Sequence, residues 1–316
     1  MDESQWSVGP ESVGHRLDKF LASADRLASR GRAVAAIERG KVFVNEIEAT
    51  KADAARRLTK GDRVRVWMDR PGSARRRSSP HQAGDLAILY EDDDLIAVNK
   101  PSGLLTVPLD RRGEAADSVL GLLKHYFRTD RAHRPFVVHR IDRDTSGVVL
   151  FAKHAAAQVQ LKEQFLRREP ERTYRAIVYG HPTPLSGTWR DHLVWDDRAL
   201  IQRKTHPRDP RGKEAVSEYR TVERYRDASL IEVRLVTGKR NQIRIQAGLR
   251  GHMLVGERRY VSGPERLRQI RFPRQALHAC RLALRHPVAG RPLSIEAPMP
   301  DDLTALAGRL RRSARR

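Results

Sequence analysis

One cysteine, Cys280, stands among 316 residues. That excludes an internal disulfide framework and suits a reducing compartment. No apolar run approaches the length of a membrane span. The opening Met1-Asp2-Glu3-Ser4-Gln5-Trp6 lacks the basic and apolar regions of a signal peptide. A cytoplasmic protein without membrane association is therefore expected. Glycine-rich phosphate loops of either common type are missing, which removes the usual supports for nucleotide hydrolysis and dinucleotide redox chemistry. Zinc needs several Cys or His ligands at tight spacing. His278 and Cys280 lie two apart on a strand-like segment with no such partners nearby, and read as core residues. A serine nucleophile wants an elbow flanked by glycines, and Ser146-Gly147 is half of one. Acid is the scarce charge: 39 Asp and Glu stand against 61 Lys and Arg, a formal net charge of +22.

What the chain does have is this spread of positive charge. A polyanion gives it a purpose, because neutralised phosphates release counterions and steer association. Nucleic acid is the expected partner. A generically cationic surface is the plainer explanation, and composition alone leaves it open.

The first segment reads helix, helix, strand, strand. Apolar spacing predicts a helix over 16–28 and a second over 32–39 that stops at Gly40. Strand character follows over 41–45 and again over 61–67, where polar and apolar residues alternate. Arg16, Arg32, Arg39 and Lys41 are the candidate RNA contacts of this segment. Arg16-Leu17-Asp18-Lys19-Phe20-Leu21, Ile37 through Asn45, and Lys60-Gly61-Asp62 resemble the alpha-L RNA-binding module named from a small-subunit ribosomal protein. The resemblance covers about residues 14–68 and implies a small α/β RNA-binding module. Glu46 stands where such modules usually have Gly, so a looser hairpin turn is expected there. Residues 69–84, with Pro71-Gly72-Ser73 and three arginines, read as a linker.

Residues 85–300 are richer in strands. Strands are expected at 86–90, 95–101, 174–179, 217–222, 230–236, 240–246, 276–284 and 293–297, with helices at 115–127 and 155–168. Without strict βαβ alternation, the expected class is α+β, a mixed and mainly antiparallel sheet flanked by helices. The acidic run Glu91-Asp92-Asp93-Asp94 reads as a hairpin turn with solvated charges rather than a metal site. Residues 301–316 read as a short helix that becomes an Arg-rich tail.

Within that domain, His139-Arg140-Ile141-Asp142-Arg143-Asp144-Thr145-Ser146-Gly147 carries the strongest signal. An Asp between two Args stays ionised and held in place, as a nucleophile or base must be. Taken alone, Asp142 and Asp144 could equally organise a turn and pair with Arg140 and Arg143. The stretch resembles the signature of the RluA family of pseudouridine synthases, with Ile141 in place of Leu. Further matches follow in order: Asn99-Lys100-Pro101-Ser102-Gly103, Arg172-Thr173-Tyr174-Arg175-Ala176, Thr237 through Arg244, and Gln275-Ala276-Leu277-His278.

That resemblance implies an isomerase that breaks a uridine's glycosidic bond, turns the uracil, and rejoins it through carbon, with no cofactor and no metal. It implies that Asp142 is the catalytic carboxylate, acting either on the anomeric carbon or on the neighbouring ribose proton. Arg244 would be its basic partner and Tyr174 a stacking platform for the uracil. Arg140 would fill the space left by a flipped base, and His139 would support the turn. RNA is the implied partner, ribosomal RNA of the large subunit before transfer RNA, and the default is a monomer. Asn241 and Gln246 stand where the family has His, and Met253 and Glu257 where it has Pro and Asp. Those departures keep open a second reading, an RNA-binding or ribosome-assembly factor that lost turnover on the same fold. A glycosidase that releases uracil is a weaker third, for want of a second dedicated carboxylate.

Overall fold

The computed structural model describes residues 3–38, 40–68, 82–83, 86–108, 118–130, 132–196, 201–261 and 270–314. It divides into two compact units, Met1–Pro80 and His81–Arg316. Residues 69–81 and 84 of the expected linker lie outside the described residues.

In the first unit, β1 (Glu3–Ser7), β2 (Val42–Val44), β3 (Ile47–Glu48) and β4 (Arg63–Trp67) form an antiparallel sheet in the order β1-β4-β2-β3. Helices α1 (Leu17–Leu21) and α2 (Arg30–Glu38) supply Leu17, Phe20, Leu21, Ala33 and Ile37 to a core shared with Val42, Val44, Val64 and Val66. Each fully buried aliphatic or aromatic side chain of this kind contributes about 1.5–3 kcal/mol. The helix expected over 16–28 stops at Leu21 because side chains take the carbonyl of Phe20: Arg26 Nη1 donates to it at 2.6 Å, and Ser23 Oγ donates to it at 3.2 Å. The hairpin turn is tight, not loose. Asn45 and Glu46 both adopt positive φ, 52° and 64°, as a two-residue primed turn requires. Asn45 Oδ1 accepts from the Arg63 N–H at 2.8 Å, and Glu46 pairs with Arg65 at 2.9 Å. Those contacts offset the cost of a non-glycine residue there. Strand β1, with few apolar residues, gave no sequence signal.

The second unit is built on one long sheet. Its strands are β5 (Gln82–Ala83), β6 (Leu86–Glu91), β7 (Leu95–Lys100), β8 (Phe136–Val137), β9 (Ser146–Ala152), β10 (Glu171–Tyr179), β11 (Ser186–Asp196), β12 (Ile201–Thr205), β13 (Lys213–Arg224), β14 (Ala228–Leu235), β15 (Leu277–Arg285) and β16 (Pro292–Glu296). The order is β12-β11-β13-β14-β10-β15-β9-β7-β6-β5, with β16 beside β15 and β8 beside β9. The helices are α3 (Val119–Tyr126), α4 (Ala155–Leu166), α5 (Gln242–Leu249) and α6 (Asp301–Ala314). The class is the expected α+β.

Two antiparallel halves meet at a parallel seam, where Ser146 pairs with His278 and Gly147 with Ala279. Gly147 has φ +116°, and a Cβ there would lie 2.1 Å from Ala279 O. Only glycine lets the strands approach so closely. The signature's last residue is thus demanded by the sheet.

Four expectations need correction. Residues 240–246 are no strand: Gln242–Leu249 is helix α5. The alternation Gln-Ile-Arg-Ile-Gln suggested one wet face, but Gln242 through Ala247 are all buried, so it reports no exposure pattern. The β11–β12 hairpin was not foreseen. The acidic run is the expected hairpin turn and Asp93 is exposed, but the other three charges are paired: Lys153 with buried Glu91 at 3.1 Å, His286 with Asp92 at 2.8 Å, and His154 with Asp94 at 2.8 Å. Finally, α6 runs to Ala314, and its Leu303, Leu306, Ala307 and Leu310 enter a core with Ile177, Tyr179 and Met253. It belongs to the unit rather than trailing from it.

Candidate active site

The stretch 139–147 leads into β9, and its backbone is held at successive carbonyls. Thr106 Oγ1 donates to Ile141 O at 3.0 Å and accepts from the Ile141 N–H at 3.3 Å. The Thr145 N–H closes on Asp142 O at 3.1 Å. Arg143 O accepts from Lys100 Nζ at 2.7 Å and from the Gly103 N–H at 3.0 Å. Arg274 Nη1 donates to Asp144 O at 3.1 Å, while its Nε and Nη2 grip Asp302 at 2.7 and 2.9 Å. Asp144 thus serves the turn through its backbone. A loop with its carbonyls satisfied in this way presents its side chains from a fixed frame.

Lys100 is fully buried and also donates to Pro101 O and Leu104 O, at 2.8 and 2.7 Å. Burial lowers its ammonium to about 7, against the charges of Asp144 and Asp142, which favour protonation. Ser146 lies between Arg274 and His278. His278 Nε2 faces Ala297 O at 3.3 Å and so carries the proton, leaving Nδ1 to accept from Ser146 Oγ at 3.0 Å.

From that frame Asp142 reaches α5. Its Oδ2 accepts from Asn241 Nδ2 at 2.6 Å and from Arg244 Nη1 at 3.1 Å. Oδ1 has no hydrogen-bond donor among the described residues. Arg244 sends Nε and Nη2 to Glu257 at 2.8 and 2.7 Å, a bidentate pair. Side-chain exposure grades from 0% at Glu257 through 10% at Arg244 to 26% at Asp142. Burial opposes charge on Arg244, but Glu257 and then Asp142 raise its guanidinium above the ordinary value. Burial would likewise push Glu257 up; Arg244 and the backbone N–H groups of Arg259 and Tyr260 hold it below the usual carboxylate range. Glu257 is spent on this scaffold. Asp142, the more exposed carboxylate, keeps an oxygen free of donors among the described residues.

Tyr174 is buried on β10 at a register irregularity beside Thr173, opposite Ala279 of the seam. Such bulges re-aim side chains beside active sites. Burial, with the nearby charge of Asp142 and against that of Arg172, pushes its phenol up to about 12, so it is protonated at neutral pH. Asp142 and Arg244 are in direct contact, and Tyr174 lies within the influence of the charge of Asp142. Arg140 is exposed and has no hydrogen-bond or ion-pair partner among the described residues. His139 stacks on Phe165 with ring centroids 5.0 Å apart, and its Nε2 accepts from the Leu150 N–H at 3.1 Å. Burial, then the charge of Arg172, pushes its imidazole down to about 3. The ring ties the start of the stretch to Leu150 of β9.

The family departures fall in different places. Asn241 touches Asp142 and still supplies a donor. Gln246 does not: it accepts from Ser217 Oγ at 2.7 Å and donates to Asp191 at 2.9 Å inside the core. Met253 packs in a core cluster, and Glu257 is the partner of Arg244. In the first unit, Arg16 is paired with Asp18 at 3.0 Å, Arg32 is exposed, and Lys41 Nζ donates to Met68 O. Arg39 lies outside the described residues.

Sequence reasoning missed Thr106, Arg274 and Tyr260, which reach the site from afar and carried no local signal. Lys100 was visible in Asn99-Lys100-Pro101 but had no assigned part. For a metal, Asp92, Asp94 and His286 bring three ligand atoms within 4.8 Å of one another. The atoms are already engaged with Tyr90, with His154 and with each other.

A family model described as RNA pseudouridylate synthase matches residues 94–248. The chain is similar to an uncharacterized RNA pseudouridine synthase of Bacillus subtilis, YlyB, at 35% identity over 99% of this chain and 100% of that one. It is 34% identical to a ribosomal large subunit pseudouridine synthase D of Zymomonas mobilis, with 97% of each chain covered. A solved structure, human RNA pseudouridylate synthase domain containing 4, shares the fold with a TM-score of 0.57 at 22% identity, covering 71% of this chain and 92% of that one.

Proposed function

Because the chain belongs to the RNA pseudouridylate synthase family, isomerases that convert uridine to pseudouridine, we propose that it acts on large-subunit ribosomal RNA with Asp142 as the reacting carboxylate. One observation carries the assignment of Asp142. Its Oδ2 is clamped by Arg244 and Asn241 while Oδ1 has no donor among the described residues, on a loop whose backbone is pinned. The names of relatives such as the Zymomonas mobilis enzyme support the choice of RNA.

The reaction needs one carboxylate because uracil can leave as a delocalised anion. The glycosidic carbon–nitrogen bond breaks, with Asp142 acting at the ribose. The uracil turns above Tyr174, a carbon–carbon bond forms at C5, and the C5 proton is lost. The protonated phenol of Tyr174 stacks on the ring. Arg244 keeps the carboxylate ionised and oriented. A uridine in helical RNA must first leave the stack, at a cost of a few kcal/mol. Arg140 fills the vacated space, where a planar cation can stack and contact phosphate together. The first unit adds sequence-independent contacts through Arg16, Arg32, Arg39 and Lys41. The cytoplasm, where ribosomal RNA is made and folded in bacteria, is the fitting location.

RNA tritiated at uracil C5 separates the readings. An isomerase releases tritium to water and retains the base, a glycosidase releases free uracil, and a binding factor releases neither. Pseudouridine mapping in cells with and without the protein then identifies the target uridine. A lost site outside the large-subunit RNA would refute the proposed substrate.

A further inference from the structure

A line of hydrogen bonds runs from the β11–β12 hairpin to Asp142. The Gln202 backbone N–H donates to Tyr260 Oη at 3.0 Å. That hydroxyl sends its own proton to Asn241 Oδ1, also at 3.0 Å. Asn241 Nδ2 then faces Asp142 Oδ2 at 2.6 Å. A carboxylate only accepts, so both ends dictate the same orientation of the amide. Tyr260 and Asn241 are 9% and 8% exposed, which shields the line from water. Burial raises the Tyr260 phenol, so the proton on which the line depends stays in place. Asn241 also holds a left-handed backbone, φ 53°, at the head of α5. The Arg244 guanidinium carbon lies 5.4 Å from the Tyr260 ring centroid. One aromatic ring therefore braces both donors to Asp142.

We propose that Asn241 and Tyr260 are positioning residues for the carboxylate. Asn241 holds Oδ2 so that Oδ1 faces the ribose, and Tyr260 acts on Asp142 only through the Asn241 amide. The inference rests on the reading of Asp142 as the reacting group. Its physical basis is the steep penalty for a small misplacement of a reacting atom.

The test is a double-mutant cycle with steady-state kinetics on uridine-containing RNA, using N241G, Y260F and the double variant. Glycine suits the left-handed backbone, so N241G removes the side chain without strain. N241G should lower kcat about 10–100-fold, the range for a lost hydrogen bond to a charged group, with KM changed less than about twofold. Y260F should lower kcat about 3–10-fold, and should add no further loss in the N241G background. N241H, which restores a ring N–H donor, should recover most of kcat. Multiplying losses, losses in KM instead of kcat, or an unchanged kcat in N241G would overturn the proposal. Should N241G fail to fold, N241S, whose hydroxyl is too short to bridge Tyr260 and Asp142, replaces it in the cycle, and Y260F should again add no further loss in that background. An inert D142N protein secures the underlying reading. Independent Asn241 and Tyr260 effects alongside it overturn this inference alone, whereas a D142N protein that turns over defeats the reading itself.

Discussion

Replacing Gly147 by alanine tests whether the parallel seam fixes the frame that carries Asp142. The backbone there has φ +116°, and the added methyl would meet Ala279 O at 2.1 Å and its C and N at 2.7 Å. Entering that backbone region costs an ordinary residue about 1–3 kcal/mol. Forcing the strands apart to relieve the overlap adds about 1–3 kcal/mol. The sum, about 2–6 kcal/mol, is a large part of the stability of a domain, about 5–15 kcal/mol. Urea unfolding should show a midpoint about 0.7–2 M lower at an m-value of about 3 kcal/mol/M. Gly308→Ala is the matched control: Gly308 lies in α6 with Arg312 Nη1 at 3.7 Å as the nearest atom. It should gain about 0.5–1 kcal/mol from helix propensity. A Gly147→Ala protein within about 1 kcal/mol of wild type would refute the claim that the seam is rigid.

Arg140→Ala should reduce turnover on structured RNA by at least about tenfold more than on a short unpaired substrate, since only the former must be unstacked; equal losses would remove the space-filling role. His139→Gln keeps an acceptor for the Leu150 N–H and removes a titrating group. In the folded protein the imidazole sits near 3 against an ordinary 6.5. As pH falls between those values the unfolded chain takes up a proton that the native state refuses, so stability is lost. Thermal melts of His139→Gln should therefore fall less steeply than wild type between about pH 6.5 and 4; parallel curves would show that His139 is not held neutral.

Much of the second unit was legible because its strands are apolar runs between clear breaks, as at Leu95–Lys100 and Ala228–Leu235. The pairing of Asp142 with Arg244 was implied by ordered motifs. Helix α5 was not: Gln242, Arg244 and Gln246 are buried polar residues satisfied by Thr237, Ser217, Asp191 and Glu257, and pattern reading takes polar residues for exposed ones. Gly147 looked like a turn residue, yet its necessity comes from Ala279, far along the chain. The pins at Thr106, Lys100 and Arg274 likewise join segments remote in sequence. Asn241 reads in sequence as a mark against catalysis, yet it donates to the carboxylate because the fold sets it beside Tyr260.

Asp142→Asn on RNA tritiated at uracil C5 tests the central claim most directly. The amide keeps the shape and removes the negative charge. The account predicts no tritium release above background, with RNA affinity within about twofold of wild type because binding rests on many phosphate contacts. Tritium release at a wild-type rate, or loss of RNA binding together with turnover, would contradict it.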